Sequence, residues 1–345
     1  MLLVGWWAAM VMLTPSVFPS GIGFGRAGGF SGTRCGPCVD GGEMAFGDAY
    51  LTCPLTDGDL PAELWGSETL AIDLAGGPYR FSGLVPAQAG WVQTRFQSLC
   101  DAVSGVPAPV STTIHRLPES AFREIDTRGW VYTFDRDYHP ERLCLAGWGF
   151  LAEIRFEPGL RGRLWTCRTD LERFAGVFEN FFRVLVAYRV MQSGGVLLHS
   201  AAFARDGRAQ VVFGRSGAGK STSSRFALNA GWEVLSDDMN ALLPDPWQVE
   251  KLPFAGDLGQ TPSRSRAYPI AGLRWLQQAA AHAVRPMSGT LALARLLVCA
   301  PVVNEDPFRV DGLLHNLTNL LGHASAETLD FARDPGFLSL LDPDH

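Results

Sequence analysis

Gly214-Arg215-Ser216-Gly217-Ala218-Gly219-Lys220-Ser221 fits the pattern G-x-x-x-x-G-K-[ST], and its reading decides the fold. Its glycines let successive backbone N–H groups turn inward as an anion nest, and a helix starting at Lys220 adds the partial positive charge of its N-terminus. The flanks supply the strand and the helix that this geometry needs. Ala209 to Phe213 is a short apolar run entering the loop, and Thr222 to Ala230 is helix-compatible up to Gly231, a natural stop. In such a loop the lysine reaches bound phosphates and the serine hydroxyl faces Mg2+.

Downstream, Trp232-Glu233-Val234-Leu235-Ser236-Asp237-Asp238 reads as a second apolar strand ending in two carboxylates. Strand, loop, helix and strand make a βαβ unit, whose ligands sit at the carboxyl ends of the strands. Asp237 and Asp238 are therefore expected at the same crevice as the phosphates. Upstream, Asp206-Gly207 between two apolar runs is a hairpin signal. A two-residue loop sets Arg205 opposite Arg208 and His199 opposite Gly214, which brings an imidazole toward Asp237.

Further out, Asp170 to Gln192 carries Leu171, Phe174, Val177, Phe178, Phe181, Phe182, Leu185 and Val186 at helical spacing, with Asp170 as N-cap and Gly194 as stop. The domain boundary falls just before this helix. Residues 169–345 are read as the domain holding the loop, and residues 44–168 as a β-rich domain. Strand signals there include Thr69–Leu74, Trp130–Phe134 and Phe150–Phe156. Asp135, Asp137 and His139 lie close together, and a solvated turn before Pro140 explains them better than a metal site. Residues 1–43 read as a disordered leader or an upstream extension of the frame, with Met44 opening an ordinary start. Leu2 to Leu13 lacks a basic flank, and its prolines break it short of the roughly 20 apolar residues a spanning helix needs. Cys35-Gly36-Pro37-Cys38 has the letters of a redox pair without the strand and helix such a pair requires.

Composition narrows the function. Hydrophobic residues make up 47%, charged residues 19%, and the net charge is −6, which suits a buried core and argues against nucleic acid as a partner. Of the 29 basic residues only Lys220 and Lys251 are lysines. Where arginine serves everywhere else, a retained lysine is a candidate for chemistry that a planar guanidinium performs poorly; Lys220 lies in the loop, while Lys251, within Val249–Pro253, has no motif around it.

Leu197-Leu198-His199, the loop Gly214–Ser221 and Leu235-Ser236-Asp237-Asp238 together resemble the HPr kinase/phosphorylase family. They are most similar to the small HPr-kinase-like proteins of ribosomal-peptide modification clusters. The resemblance covers about residues 175–340, with Tyr268–Leu276 as a strand and Met287–Ala300 as a helix in its tail. It implies an α/β fold: a P-loop kinase domain of the HPr kinase/phosphoenolpyruvate-carboxykinase-like type behind a β-rich N-terminal region.

The resemblance also implies roles. Asp237 would be the base that takes a hydroxyl proton, His199 its partner and Lys220 the phosphate-binding cation. Gly214, Ser216, Gly217, Ala218, Gly219, Lys220, Ser221 and Thr222 would hold ATP or another nucleoside triphosphate. Ser221, with Thr222, and Asp238 would face Mg2+. The family's enzymes carry Glu after the loop serine, where this chain has Thr222, and their later acidic and arginine-bearing motifs and signature helix have no counterpart here. Arg264 and Arg266 are candidates for contact with phosphate or a peptide, or are plain surface arginines.

The expected function is ATP- and Mg2+-dependent phosphotransfer to a Ser/Thr hydroxyl of a protein or peptide substrate, in the cytoplasm, with no stable membrane span. Homo-oligomerisation is left open. The alternatives are a nucleotide-binding scaffold or chaperone of a peptide-modification complex, and a small-molecule kinase or carboxykinase-type enzyme.

Overall fold

Asp170 starts the helix around which the described chain is built. Its side chain accepts the Arg173 N–H at 2.9 Å, capping α3 (Leu171–Gln192) as the sequence predicts. At the other end Gly194, at φ 80°, lets the chain turn away. The computed structural model describes residues 60, 62–100, 107–122, 134–147, 149–254, 256–259 and 265–341. The leader reading of residues 1–43, the Met44 start, the Cys35/Cys38 pair, most of Trp130–Phe134 and Arg264 lie outside the described residues.

One side of α3 covers a seven-stranded sheet. Its strands are β1 (Glu68–Ile72), β2 (Tyr79–Leu84), β3 (Val110–Arg116), β4 (Asp135–Tyr138), β5 (Arg142–Gly147), β6 (Phe150–Arg155) and β7 (Arg161–Thr166). They lie in the order β1-β2-β3-β7-β6-β5-β4, with β2 parallel to β3 and β3 parallel to β7. Two helices, α1 (Pro86–Arg95) and α2 (Gln97–Cys100), follow β2. Phe178 and Phe182 pack on Phe81 of β2 at centroid separations of 4.8 and 5.1 Å. Gly162 in β7 makes the close approach possible, because a Cβ there would lie 2.9 Å from the Phe181 ring. Each fully buried phenylalanine of this face contributes about 1.5–3 kcal/mol.

The second sheet is built from β8 (Val196–Arg205), β9 (Arg208–Phe213), β10 (Glu233–Ser236), β11 (Met239–Leu243), β12 (Gln248–Lys251), β13 (Ala267–Gln278), β14 (Ala283–Pro286) and β15 (Ala326–Phe331). Its helices are α4 (Lys220–Asn229), α5 (Gly289–Val298) and α6 (Val310–His323). The β8–β9 hairpin forms in the expected register, Arg205 opposite Arg208 and Ser200 opposite Phe213. Asp206 and Gly207 take φ 50° and 76°, the left-handed pair of a tight hairpin turn. The parallel neighbours of β13 are β9 and β15. The second strand of the βαβ unit does not lie beside the first. β9 and β10 pair antiparallel with opposite edges of β8, which runs between them.

Buried residues of both sheets, α3, α5 and α6 form one continuous cluster. A second cluster under α4 joins Phe203, Val212, Trp232, Leu329, Phe331 and Phe337 on the opposite face of the second sheet. The protein is thus mixed α/β with two sheets. No helix of the described residues is long and apolar enough to cross a membrane.

Candidate functional site

The loop leaves β9 at Gly214 and enters α4 at Lys220. Gly217 and Gly219 stand at φ 75° and 112°, where an L side chain would be strained. A Cβ on Gly214 would lie 3.1 Å from the Leu276 carbonyl oxygen, so glycine also lets the loop press against β13. Gln278, at the end of β13, donates to the Gly217 carbonyl at 2.9 Å and ties down the loop tip.

Lys220 is buried, with Nζ donating to the Gly214 and Arg215 carbonyls at 3.0 and 3.3 Å. Burial pushes its pKa down, opposed by the Cys299 thiol and by the carboxylates of Asp238, Asp237 and Asp257. Ser216, Ala218, Gly219, Ser221 and Thr222 are half-buried around it, and Gly217 is exposed.

Asp237 and Asp238 occupy a bend in the chain that continues from β10 to β11 along one edge of β8. Ser236 Oγ accepts both the Asp238 and Met239 N–H groups at 3.2 Å and fixes that bend. The two carboxylates, both nearly inaccessible to solvent, go different ways. Asp237 lies beside the Ser221 hydroxyl and accepts the Leu258 N–H at 3.3 Å on Oδ2. Burial raises its pKa, the Ser221 hydroxyl opposes this, and the charges of Asp257 and Asp238 add to it. Asp238 turns to His199, whose Nδ1 lies 3.1 Å from its Oδ1 at an angle short of a formed hydrogen bond. The imidazole contact is thus with Asp238, where the resemblance implies Asp237. Strand register explains it: His199 lies opposite Met239, the residue after Asp238.

The donor set fits a divalent cation beside a phosphate chain. Among the described residues no donor reaches the buried Oδ1 of Asp237 or Oδ2 of Asp238, which leaves two carboxylate oxygens able to accept a cation or a proton. No cluster of three or more His, Cys, Asp or Glu side chains among the described residues is arranged to hold a metal by itself. Mg2+ is bound in that way when one or two carboxylates share it with phosphates and waters. Ser221 and Asp237, which lie side by side, could share such an ion with a phosphate, as could the open oxygen of Asp238.

The other residues that the sequence singles out fall elsewhere. Arg266 pairs with Glu250 at 2.6 Å and with Asp73 at 3.0 Å, joining β12 to the loop after β1. His139 and Asp137 form an exposed pair at 3.0 Å, but Asp135 and Asp137 lie in β4, where the sequence predicts a solvated turn, and only His139 falls in the link to β5. The residues that local reading misses are Gly256, Leu258 and Cys299. Gly256 packs so tightly on the aspartates that a Cβ there would lie 2.8 Å from Asp237 Cγ and 2.9 Å from Asp238 Cβ. Cys299, just beyond α5, accepts the His199 N–H on its carbonyl at 2.7 Å, and its thiol lies against Gly214 and Lys220. Burial pushes that thiol up to about 11. None of the three carries a motif; only the folded chain brings them in.

The fold and loop define a mixed α/β protein whose glycine-rich strand-to-helix loop faces a carboxylate pair. Over residues 177–310, less than half of the chain, the sequence is similar to the family described as SynChlorMet cassette protein ScmC. That stretch runs from within α3 to the start of α6 and includes the loop, His199 and both aspartates. No curated protein matches the chain.

Proposed function

We propose that this chain is an ATP- and Mg2+-dependent phosphotransferase that phosphorylates a serine or threonine hydroxyl of a protein or peptide. The observation that carries the reading is the division of the aspartates. One lies beside the loop serine and the other is paired with an imidazole, both close to a buried lysine.

Nucleotide and Mg2+ together would supply the activated phosphoryl group and neutralise part of its charge. Lys220 and the loop amides hold the phosphates, and Ser221 and Asp237 hold the cation. The geometry favours exchanging the roles that the resemblance assigns to the two aspartates. Asp238, steadied through Oδ1 by His199, keeps Oδ2 open to accept the proton of the attacking hydroxyl. As the hydroxyl oxygen bonds to the terminal phosphorus, the bond to the leaving diphosphate oxygen breaks and the proton passes to Asp238. The similarity to a family described as a cassette protein supports an acceptor encoded nearby, and the resemblance to the small HPr-kinase-like proteins supports a peptide as that acceptor.

Calorimetry with ATP and Mg2+, followed by phosphate transfer to a serine/threonine peptide library, tests this. Lys220→Ala is expected to lose binding while staying folded. Asp238→Asn is expected to keep Mg2+-nucleotide binding and to lose transfer by about 100-fold or more. Wild-type protein that binds no nucleotide would sink the reading. Binding without transfer to any acceptor would replace it with the nucleotide-binding scaffold.

A further inference from the structure

Trp275 of β13 lies between two groups. On one side Phe213, the last residue before the loop, meets its ring edge-on at 5.8 Å. On the other side the Arg295 guanidinium lies 4.6 Å from its ring centroid. Arg295 belongs to α5, the helix that ends at Cys299 against His199, Gly214 and Lys220. Arg295 and Cys299 are one turn apart and share a helix face. That face of α5 therefore runs along the start of the loop.

The guanidinium is held there by neutral groups. Its Nη1 donates to Thr328 Oγ1 at 3.1 Å and lies 3.7 Å from Met287 Sδ. Several other partly buried arginines carry a carboxylate, among them Arg163 with Glu153, Arg266 with Glu250, Arg274 with Glu327 and Arg309 with Asp306, while Arg189 donates to the Gly76 carbonyl. Arg295 pairs with no carboxylate among the described residues. Burial lowers its pKa, and so do its two charged neighbours, Arg215 of the loop and Arg285. Arg285 is neutralised by Asp330 through two bonds of 2.7 Å. That leaves two positive charges beside the loop without a carboxylate partner among the described residues, Arg215 within it and Arg295 one turn before Cys299, whose thiol lies against Gly214 and Lys220. An aromatic face and a hydroxyl fix the orientation of Arg295 without cancelling its charge.

We propose that Arg295, backed by Trp275 and acting with Arg215, is the arginine that meets the terminal phosphate of a nucleotide seated in Gly214–Ser221. This rests on the phosphotransferase reading of the loop. A planar guanidinium matches phosphate oxygens two at a time, and an arginine supplied in cis stabilises charge on a transferring phosphoryl group.

The test compares ADP with an imido-bridged, non-hydrolysable ATP analogue in Mg2+, by calorimetry, alongside melting temperatures. In Arg295→Ala the triphosphate analogue is expected to bind about 10- to 100-fold more weakly, with ADP within about twofold of wild type. Arg295→Lys keeps the charge and loses the fork, so it should fall in between. Arg215→Ala should weaken the analogue selectively too, and these two variants carry the comparison if Arg295→Ala does not fold. Equal losses for both nucleotides, or no loss, would overturn the proposal and leave Arg295 a packing residue. Wild-type protein binding neither nucleotide would overturn the reading of the loop and this proposal with it. Wild-type binding without selectivity in the variants overturns this proposal alone.

Discussion

Gly256→Ala adds one methyl group at the most crowded point of the site. The new Cβ would lie 2.8 Å from Asp237 Cγ and 2.9 Å from Asp238 Cβ, where carbon atoms need about 3.5–4.0 Å. Something must therefore move by about 1 Å. Neither carboxylate has a long stem with which to yield, and both are buried. The turn Gly256–Gly259, closed by a bond of 3.1 Å, can yield only by drawing the Leu258 N–H off Asp237 Oδ2, where it now sits at 3.3 Å. Overpacking of this kind costs about 1–3 kcal/mol. A 1 Å displacement of the reacting groups costs about 100-fold in turnover. Gly176, inside α3 and facing open space where a Cβ would meet no atom beyond its own helix backbone, is the matched control. Gly176→Ala should gain about 0.5–1 kcal/mol from helix propensity. Urea unfolding of both variants, with nucleotide binding and phosphate transfer for Gly256→Ala, makes the comparison. Gly256→Ala with a wild-type midpoint, binding and turnover would refute the reasoning that this turn fixes the aspartates.

Two further outcomes follow from the described contacts. Burial raises the Asp237 carboxyl above its ordinary value of 3.8, so the folded state holds that proton to higher pH than the unfolded chain does. The ionised group then costs stability above its folded pKa, and the cost disappears as pH falls to the ordinary value. Without divalent cations, Asp237→Asn should melt higher than wild type at neutral pH, with the gap closing on acidification; a lower melting temperature at pH 7 would count against it. Asp170→Ala removes the cap of α3 and should cost about 1 kcal/mol in denaturant unfolding, with nucleotide affinity unchanged.

The local features around the loop were legible in the sequence. Asp170 and the phenylalanine spacing marked α3 because a cap and a helical period are local properties. Asp206-Gly207 marked the hairpin because only a few residue pairs accept two successive left-handed conformations. Pairing between distant segments was not legible. An apolar run such as Val234–Leu235 shows that a strand forms and not which edge receives it, so the position of β8 between β9 and β10 came from the structure. The same limit explains the histidine. Its register against the loop could be read from the turn, but its contact with Asp238 depends on β11 continuing past the bend along β8. Gly256 reaches the site from a segment with no motif, through packing alone. Arg266 shows the reverse case: a basic residue near the site by sequence that the fold commits to Glu250 and Asp73.

The scarcity of lysine has a geometric reading at position 220. An ammonium has three donors, and two of them meet the Gly214 and Arg215 carbonyls at 3.0 and 3.3 Å inside a buried loop. The third remains for an anion seated on the loop amides. A guanidinium spreads five donors over a plane and needs more room than the glycines leave, with Gly214 already against the Leu276 carbonyl and Gly219 against the Phe331 ring. The other lysine, Lys251, lies at the end of β12, outside the loop, where burial lowers its pKa and Glu233 opposes the shift. The two cations proposed for the phosphates thus divide by shape. The compact one lies within the nest, where backbone closes in, and the planar one stands on α5 against an aromatic ring, outside the glycine-shaped loop.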